Sequence, residues 1–210
     1  ILSGLDHPHG MLLLGNAVII SEEGKLTRYD YNFENPEVLV QGIPSGNHQT
    51  NAVNLLPNGT LIWHSGSTCN HCDEDDSRNA ALLWVNATTG EHGILATGVR
   101  NSFDGVWVDE IGYLFTDNGQ DAEGNDFPNE EVNLLVDGAD YGWLVESKSD
   151  PNPEGTEAPV ATWTPHTSVN GMTTRPANMP GDKYTVYATV YGSWATILPA
   201  GHQILKIDFT

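Results

Sequence analysis

The sequence predicts an all-β fold, and within that class a β-propeller, on three observations. Short apolar runs alternate with Gly, Asn and Asp punctuation along the whole chain, the pattern of strands joined by tight turns. No window keeps apolar residues at helical spacing through three turns. A loose unit of strand, turn, second strand and loop recurs about every 45 to 60 residues, a spacing that suits four-stranded blades with loop insertions. A β-sandwich is the alternative architecture. The propeller is preferred because a further short strand follows the strand–turn–strand unit.

The first unit is residues 9–14 followed by 17–20 and 26–31. The second has strands at 52–56 and 60–64 around Pro57-Asn58-Gly59, where proline presets φ and Asn and Gly tolerate the left-handed region. Further strands at 81–85 and 94–97 complete it. The third joins 103–108 to 113–116 through a turn at 109–112, and the fourth pairs 167–173 with 184–190 and a further strand at 204–207. Residues 147–159, rich in Pro and Ser, form the clearest long loop, expected to lie over one face. The reading is one domain, 1–210, with about four blades visible.

At 210 residues and 39% hydrophobic, the chain can bury a core. Its 28 acidic against 8 basic residues give a formal charge of −20, which repels phosphate backbones and anionic headgroups and argues against nucleic-acid and membrane-surface partners. No run approaches the roughly 20 apolar residues a membrane span needs, so no membrane insertion is expected. The chain begins at Ile1 without a charged leader region, so no signal peptide is legible.

Cys69 and Cys72 form one CxxC pair, half of a zinc site, in strand-rich surroundings unlike a redox helix. A small-loop disulfide of an oxidising compartment is the favoured reading; free thiols, or a metal assisted by His71, are the alternatives. Asn58-Gly-Thr60 and Asn86-Ala-Thr88 fit the glycosylation sequon, and equally fit turns.

The densest polar stretch, 116–133, carries six carboxylates with carboxamides and two glycines. Hard cations such as calcium take six to eight oxygens from such a mixture of carboxylates and main-chain carbonyls. The acidic spacing and flanks exclude an EF-hand, and a solvated acidic loop is the plain alternative. His48 follows Ser45-Gly46-Asn47, so it should project from a loop, where an imidazole can serve as a general base or be merely structural. His7, His9, His64, His71, His92, His166 and His202 show no HExxH spacing. Arg100-Asn101 stands out because arginine occurs only at 28, 78, 100 and 175; it suits an anionic ligand or an ordinary ion pair. GxSxG, Walker and GxGxxG motifs are absent.

In series these features resemble the soluble pyrroloquinoline-quinone (PQQ) dehydrogenases of sugars, most closely the sorbosone dehydrogenase and fungal pyranose dehydrogenase branches. The stretches are Gly4-Leu-Asp-His-Pro-His-Gly10, Gly42-Ile-Pro-Ser-Gly-Asn-His-Gln-Thr-Asn51, Leu56-Pro-Asn-Gly-Thr-Leu61, Gly66-Ser-Thr-Cys-Asn-His-Cys72, Gly98-Val-Arg-Asn101, Asp117-Asn-Gly119, Glu130-Glu-Val-Asn133, Tyr141-Gly-Trp143 and Tyr191-Gly-Ser-Trp194. The resemblance implies a six-bladed, calcium-binding propeller, secreted or periplasmic, that oxidises a sugar hydroxyl and passes electrons to a separate acceptor. It implies that His48 is the base and that Arg100, Asn101 and Asn118 touch PQQ. Gly119 and Gln120 would hold the catalytic calcium through main-chain carbonyls, and Glu130, Glu131 and the Tyr141 carbonyl a second, structural calcium.

Three departures follow. An aspartate orients the histidine in the glucose-oxidising relatives where this chain has Ser67. Tyr191-Gly-Ser-Trp-Ala-Thr196 lacks the arginine that meets the cofactor's carboxylates there, leaving Arg175 or Lys206 as substitutes. The resemblance also places about two of six blades outside this chain. A gluconolactonase-like metal hydrolase, suggested by residues 103–119, and a calcium-stabilised binding propeller without redox chemistry are the alternative functions.

Overall fold

The computed structural model describes residues 2–193 and 196–209. Among them are fifteen strands and no helix. β1 (Met11–Leu14), β2 (Ala17–Glu22), β3 (Lys25–Asp30) and β4 (Glu37–Gln41) form the first sheet, and β5 (Thr50–Leu55), β6 (Leu61–Ser65), β7 (Ala81–Val85) and β8 (His92–Thr97) the second. The third holds β9 (Gly105–Val108), β10 (Gly112–Asp117), β11 (Glu130–Leu134) and β12 (Ala161–Trp163), and the fourth β13 (Val169–Thr174), β14 (Thr185–Val190) and β15 (Gln203–Asp208). Each sheet is an antiparallel meander in chain order. The described residues therefore form a β-propeller of four blades, three of four strands and one of three.

Period-two alternation sorts the side chains of the inner strands onto two faces. In β2, Ile19 packs toward the second blade, while Val18 and Ile20 face the opposite side with Tyr29, under Leu2 and Leu5. In β6, Leu61 and Trp63 face the first blade and Ile62 the third. Leu114 of β10 faces the fourth blade, whereas Tyr113 and Phe115 face the second. A one-residue slip in any of these strands would exchange the two sets. Trp63, fully buried, has its indole N–H satisfied across the blade interface by Ser21 Oγ at 2.8 Å.

The structure differs from the sequence reading at some edges. The first strand begins at Met11 rather than residue 9, because His9 and Gly10 pair with Ser21 only through single backbone bonds. β4, β11 and β12 were not legible as strands. β4 exposes most of its residues, and β11 carries Glu130 and Glu131, which read as loop. The turns over Pro57-Asn58-Gly59 and 109–112 lie where expected. The loop after β11 is partly structural: Tyr141 and Trp143 are buried, and the Tyr141 hydroxyl donates to Leu134 O at 2.6 Å.

Gly24 marks one obligatory close approach. Its φ is +65°, and a Cβ there would run into the Ile43 carbonyl. Residues of the innermost strands and the loops before them, among them Gly10, Met11, Ala52, Val53, Asp104, Asn170 and Gly171, line a channel of about 440 Å³. The loops at one end of the blades build the site.

Candidate active site

The segment before β5 and the one after β6 continue their antiparallel pairing outward: His48 N donates to Ser67 O at 3.1 Å and Gly66 N to Gln49 O at 3.1 Å. The approach requires glycine, since a Cβ on Gly66 would lie 2.6 Å from His48 Cβ and 2.8 Å from Gln49 O. His48 is thereby fixed by main chain, and its Nδ1 lies 2.7 Å from Ser67 Oγ. The Ser67 hydroxyl donates to Cys69 O at 2.7 Å.

Cys69 and Cys72 are joined in a disulfide, which sets aside the free-thiol and metal readings of the pair. The loop they close presents Asn70, which the sequence did not single out. Asn70 O accepts from Arg100 Nε at 3.1 Å and Trp143 Nε1 at 3.2 Å, and Asn70 Oδ1 from Arg100 Nη2 and Asp121 N, each at 2.8 Å. Arg100, buried, also donates from Nη1 to Asn118 O at 3.1 Å and Gly119 O at 2.6 Å, and from Nη2 to Asp121 Oδ2 at 3.1 Å. All five guanidinium N–H groups are thus engaged.

His48, Arg100, Asn101, Asn118, Gly119 and Glu130 come together around a cavity of about 170 Å³, joined by Asp121, His166 and Ser168. Glu131 and Tyr141 do not join them. Adjacent on β11, Glu130 and Glu131 point to opposite faces, and Glu131 lines a separate cavity with Asp117, Glu146, Tyr141 and Trp143. That space is only about 10 Å³, room for one ion or water. Gln120 is buried beside the site and lines neither cavity. A third cavity of about 470 Å³ lies on the other flank of His48, with Asn47, Gln49, Asn51 and Asn101 as carboxamides and Phe103 as its aromatic wall.

Burial dominates the electrostatics. Asp117 is pushed up to about 7 by burial, against three backbone N–H donors from Arg100, Asn101 and Asn118. Glu130 rises to about 7, and Glu131 and Glu146 to about 8, from burial and then mutual repulsion among these carboxylates and Asp117. Burial, then the Arg100 charge, pushes His48 down to about 4. The residues fit a divalent cation: Asp117, Glu131 and Glu146 crowd a space of ion size with Arg100 as the one cation on its lining, and calcium would relieve their mutual repulsion. Asn118 Oδ1, on a residue lining the first cavity, is buried without a hydrogen-bond donor, as an oxygen available to a cation or ligand would be.

His64 is a contrasting histidine. Fully buried, it meets Ser102 Oγ through Nδ1 and Tyr113 Oη through Nε2, both at 2.7 Å, and its role is structural. Arg175 and Lys206 do not reach either cavity. Arg175 donates to backbone carbonyls of Pro176, Met179 and Asp182, and Lys206 pairs with Asp208, both exposed. Of Tyr191-Gly-Ser-Trp-Ala-Thr196, Trp194 and Ala195 lie outside the described residues. Asn70, Asp117, Glu146 and His166 were missed as site residues. Only Asp117, ending β10 beside Asn118-Gly119, carried a local signal.

A propeller whose loops gather a histidine, an arginine and buried carboxylates around small cavities defines the class. No family model matches the chain. An uncharacterized protein of Borreliella burgdorferi is 28% identical over 185 residues, covering 79% of this chain and 48% of that protein; the chain thus spans about half the length of this curated relative. Among solved structures, the PQQ domain of a pyranose dehydrogenase from Coprinopsis cinerea, in its holo form, superimposes with a TM-score of 0.78 at 16% identity, over 99% of this chain and 76% of that one. A calcium structure of a Trichoderma reesei carbohydrate-active enzyme of family AA12 gives 0.74 at 16% identity, over 96% and 65%. The soluble aldose sugar dehydrogenase of Escherichia coli gives 0.56 at 14% identity, over 96% and 86%. At these identities the shared property is the fold.

Proposed function

We propose that this chain forms much of the catalytic propeller of a PQQ- and calcium-dependent sugar dehydrogenase. The carrying observation is that His48, Arg100, Asn101, Asn118 and the Gly119 loop line one cavity with a carboxamide-rich cavity on the other flank of His48. PQQ, when bound with calcium, supplies the hydride acceptor and the Lewis acid that neutralises its growing charge.

The protein's part is to bind, orient and move a proton. His48, neutral because burial and Arg100 disfavour its charged form, takes the sugar hydroxyl proton on Nε2. Arg100, with its donors engaged by Asn70, Asn118, Gly119 and Asp121, contributes a fixed desolvated charge more than a free hydrogen bond. Gln49 and Asn101 suit sugar hydroxyls, and Phe103 offers the apolar face a pyranose ring packs on. The Gly119 carbonyl would hold the catalytic cation, and Gln120, which lines neither cavity, would have to turn its own carbonyl toward it. Glu131, Glu146, Asp117 and the Tyr141 carbonyl would hold the second; Glu130 goes with the first cavity. The substrate is a small sugar, and the electrons leave to a separate acceptor such as a dye, a quinone or a cytochrome. The disulfide suits a secreted or periplasmic location.

The test is a PQQ titration followed by absorbance with calcium present, then dye-linked oxidation of aldoses and pyranoses. Saturable binding and turnover are expected, with His48→Ala lowering kcat by about 10²-fold or more while sparing PQQ binding. Normal turnover by that variant would sink the mechanism. The saturation of Arg100 favours a second reading, a calcium-stabilised propeller without redox chemistry, selected if calcium raises thermal stability and PQQ does not bind.

A further inference from the structure

We infer that Ser67 sets which nitrogen of His48 carries the proton, acting as a positioning residue through the carbonyl of the disulfide-closed loop. A serine hydroxyl has a single hydrogen, and Cys69 O, which can only accept, takes it at 2.7 Å. Toward His48, Ser67 Oγ can then act only as an acceptor. The 2.7 Å contact with His48 Nδ1 requires Nδ1 to be the N–H. Nε2 is left with its lone pair free.

Each member of the chain is held from elsewhere. Ser67 N donates to Arg100 O at 2.8 Å, tying the serine to the third blade. Thr68 gives its backbone N–H and its hydroxyl to the two Glu74 carboxylate oxygens, each at 2.7 Å, and the Cys69–Cys72 bond closes the loop that carries the accepting carbonyl. Ser67 itself is fully buried, so no water competes for its hydroxyl. A histidine that accepts a proton from an alcohol needs its outward nitrogen unprotonated before substrate arrives. Ser67 prepares that state with a neutral hydroxyl in contact with the base. The catalytic meaning rests on the proposed function; the proton's position does not.

His64 provides an internal control with the opposite assignment. The Tyr113 hydroxyl donates to Asn54 Oδ1 at 2.7 Å, so it accepts from His64 Nε2–H, and Ser102 donates to Nδ1. Long-range proton–nitrogen spectra of the histidine rings, recorded on the cofactor-free chain near neutral pH and assigned with His48→Gln, read both sites together. The expected result is Nδ1–H for His48 and Nε2–H for His64. Ser67→Ala should shift His48 toward the Nε2–H form that free imidazole prefers, leave His64 unchanged, and lower kcat about 10-fold or more with little change in KM. Ser67→Thr, which keeps the hydroxyl, should restore the parental pattern.

An Nε2–H signal for His48 in the parent overturns the inference, as does an unshifted His48 in a folded Ser67→Ala. The parental spectrum decides even where a variant fails to fold. Nδ1–H on His48 in a chain that neither binds PQQ nor oxidises sugars would leave the tautomer assignment standing and remove the enzymatic reading.

Discussion

His48 and His64 differ by 16 positions and by everything around them. Both are depressed by burial, His64 to about 3, and only His64 has both nitrogens spent on protein partners. The sign of its contribution to stability follows directly. Between the ordinary histidine value of 6.5 and about 3, the unfolded chain binds a proton that the folded chain refuses, so stability falls as pH drops through that window. Melting temperature should therefore decline from pH 7 to 4 more steeply in the parent than in His64→Gln, a difference that cancels the carboxylates common to both. Equal slopes would show that His64 is not held neutral.

At this scale the sequence was informative where a residue type is rare. His48 after a Gly-containing turn and one of four arginines were legible. Asn70 and Glu146 were not. A carboxamide between two cysteines and a glutamate within a long loop have no distinguishing neighbours, and only the packing of that loop brings Glu146 to Glu131.

Among the elements, β11 is the instructive case. In its Glu-Glu-Val-Asn-Leu sequence only Val132 and Leu134 mark the apolar face, because Glu130, which begins that face, turns to one polar cavity and Glu131 to another. Read as loop, Glu130 and Glu131 seemed one ligand set; as strand, they belong to two. The apolar strands were legible because Ile62 and Leu82 on one face, and Trp63 and Leu83 on the other, each meet a different blade. Two outcomes test this level. Ser21→Ala strands the Trp63 indole N–H in the core and should cost about 1–3 kcal/mol, measurable by denaturant unfolding. Gly66→Ala, whose Cβ would press on His48 Cβ, should lower turnover while leaving far-UV circular dichroism unchanged.

The whole molecule is an acidic body that concentrates four titration-shifted carboxyl groups around one buried arginine. Four blades were readable from strand spacing, whereas the partition into cavities was not, since it depends on loops from different blades meeting at one end. Calcium should raise the melting temperature, with a chelator reversing the gain; a cation at about 100 times its Kd contributes about 2.7 kcal/mol. Glu131→Gln and Glu146→Gln should each make the metal-free protein more stable and shrink the calcium-dependent gain. Calcium-independent melting of the parent would contradict the cation reading.

The Cys69–Cys72 bond has a consequence for the bench. The ring it closes holds Asn70 against Arg100, Trp143 and Asp121, and both cysteines lie outside the strands. Protein made in a reducing cytosol, or carried through purification buffers containing dithiothreitol, should keep its strands and its solubility yet take up ligand poorly. Preparations from an oxidising host, handled without thiols, are the ones in which a negative binding result would carry meaning.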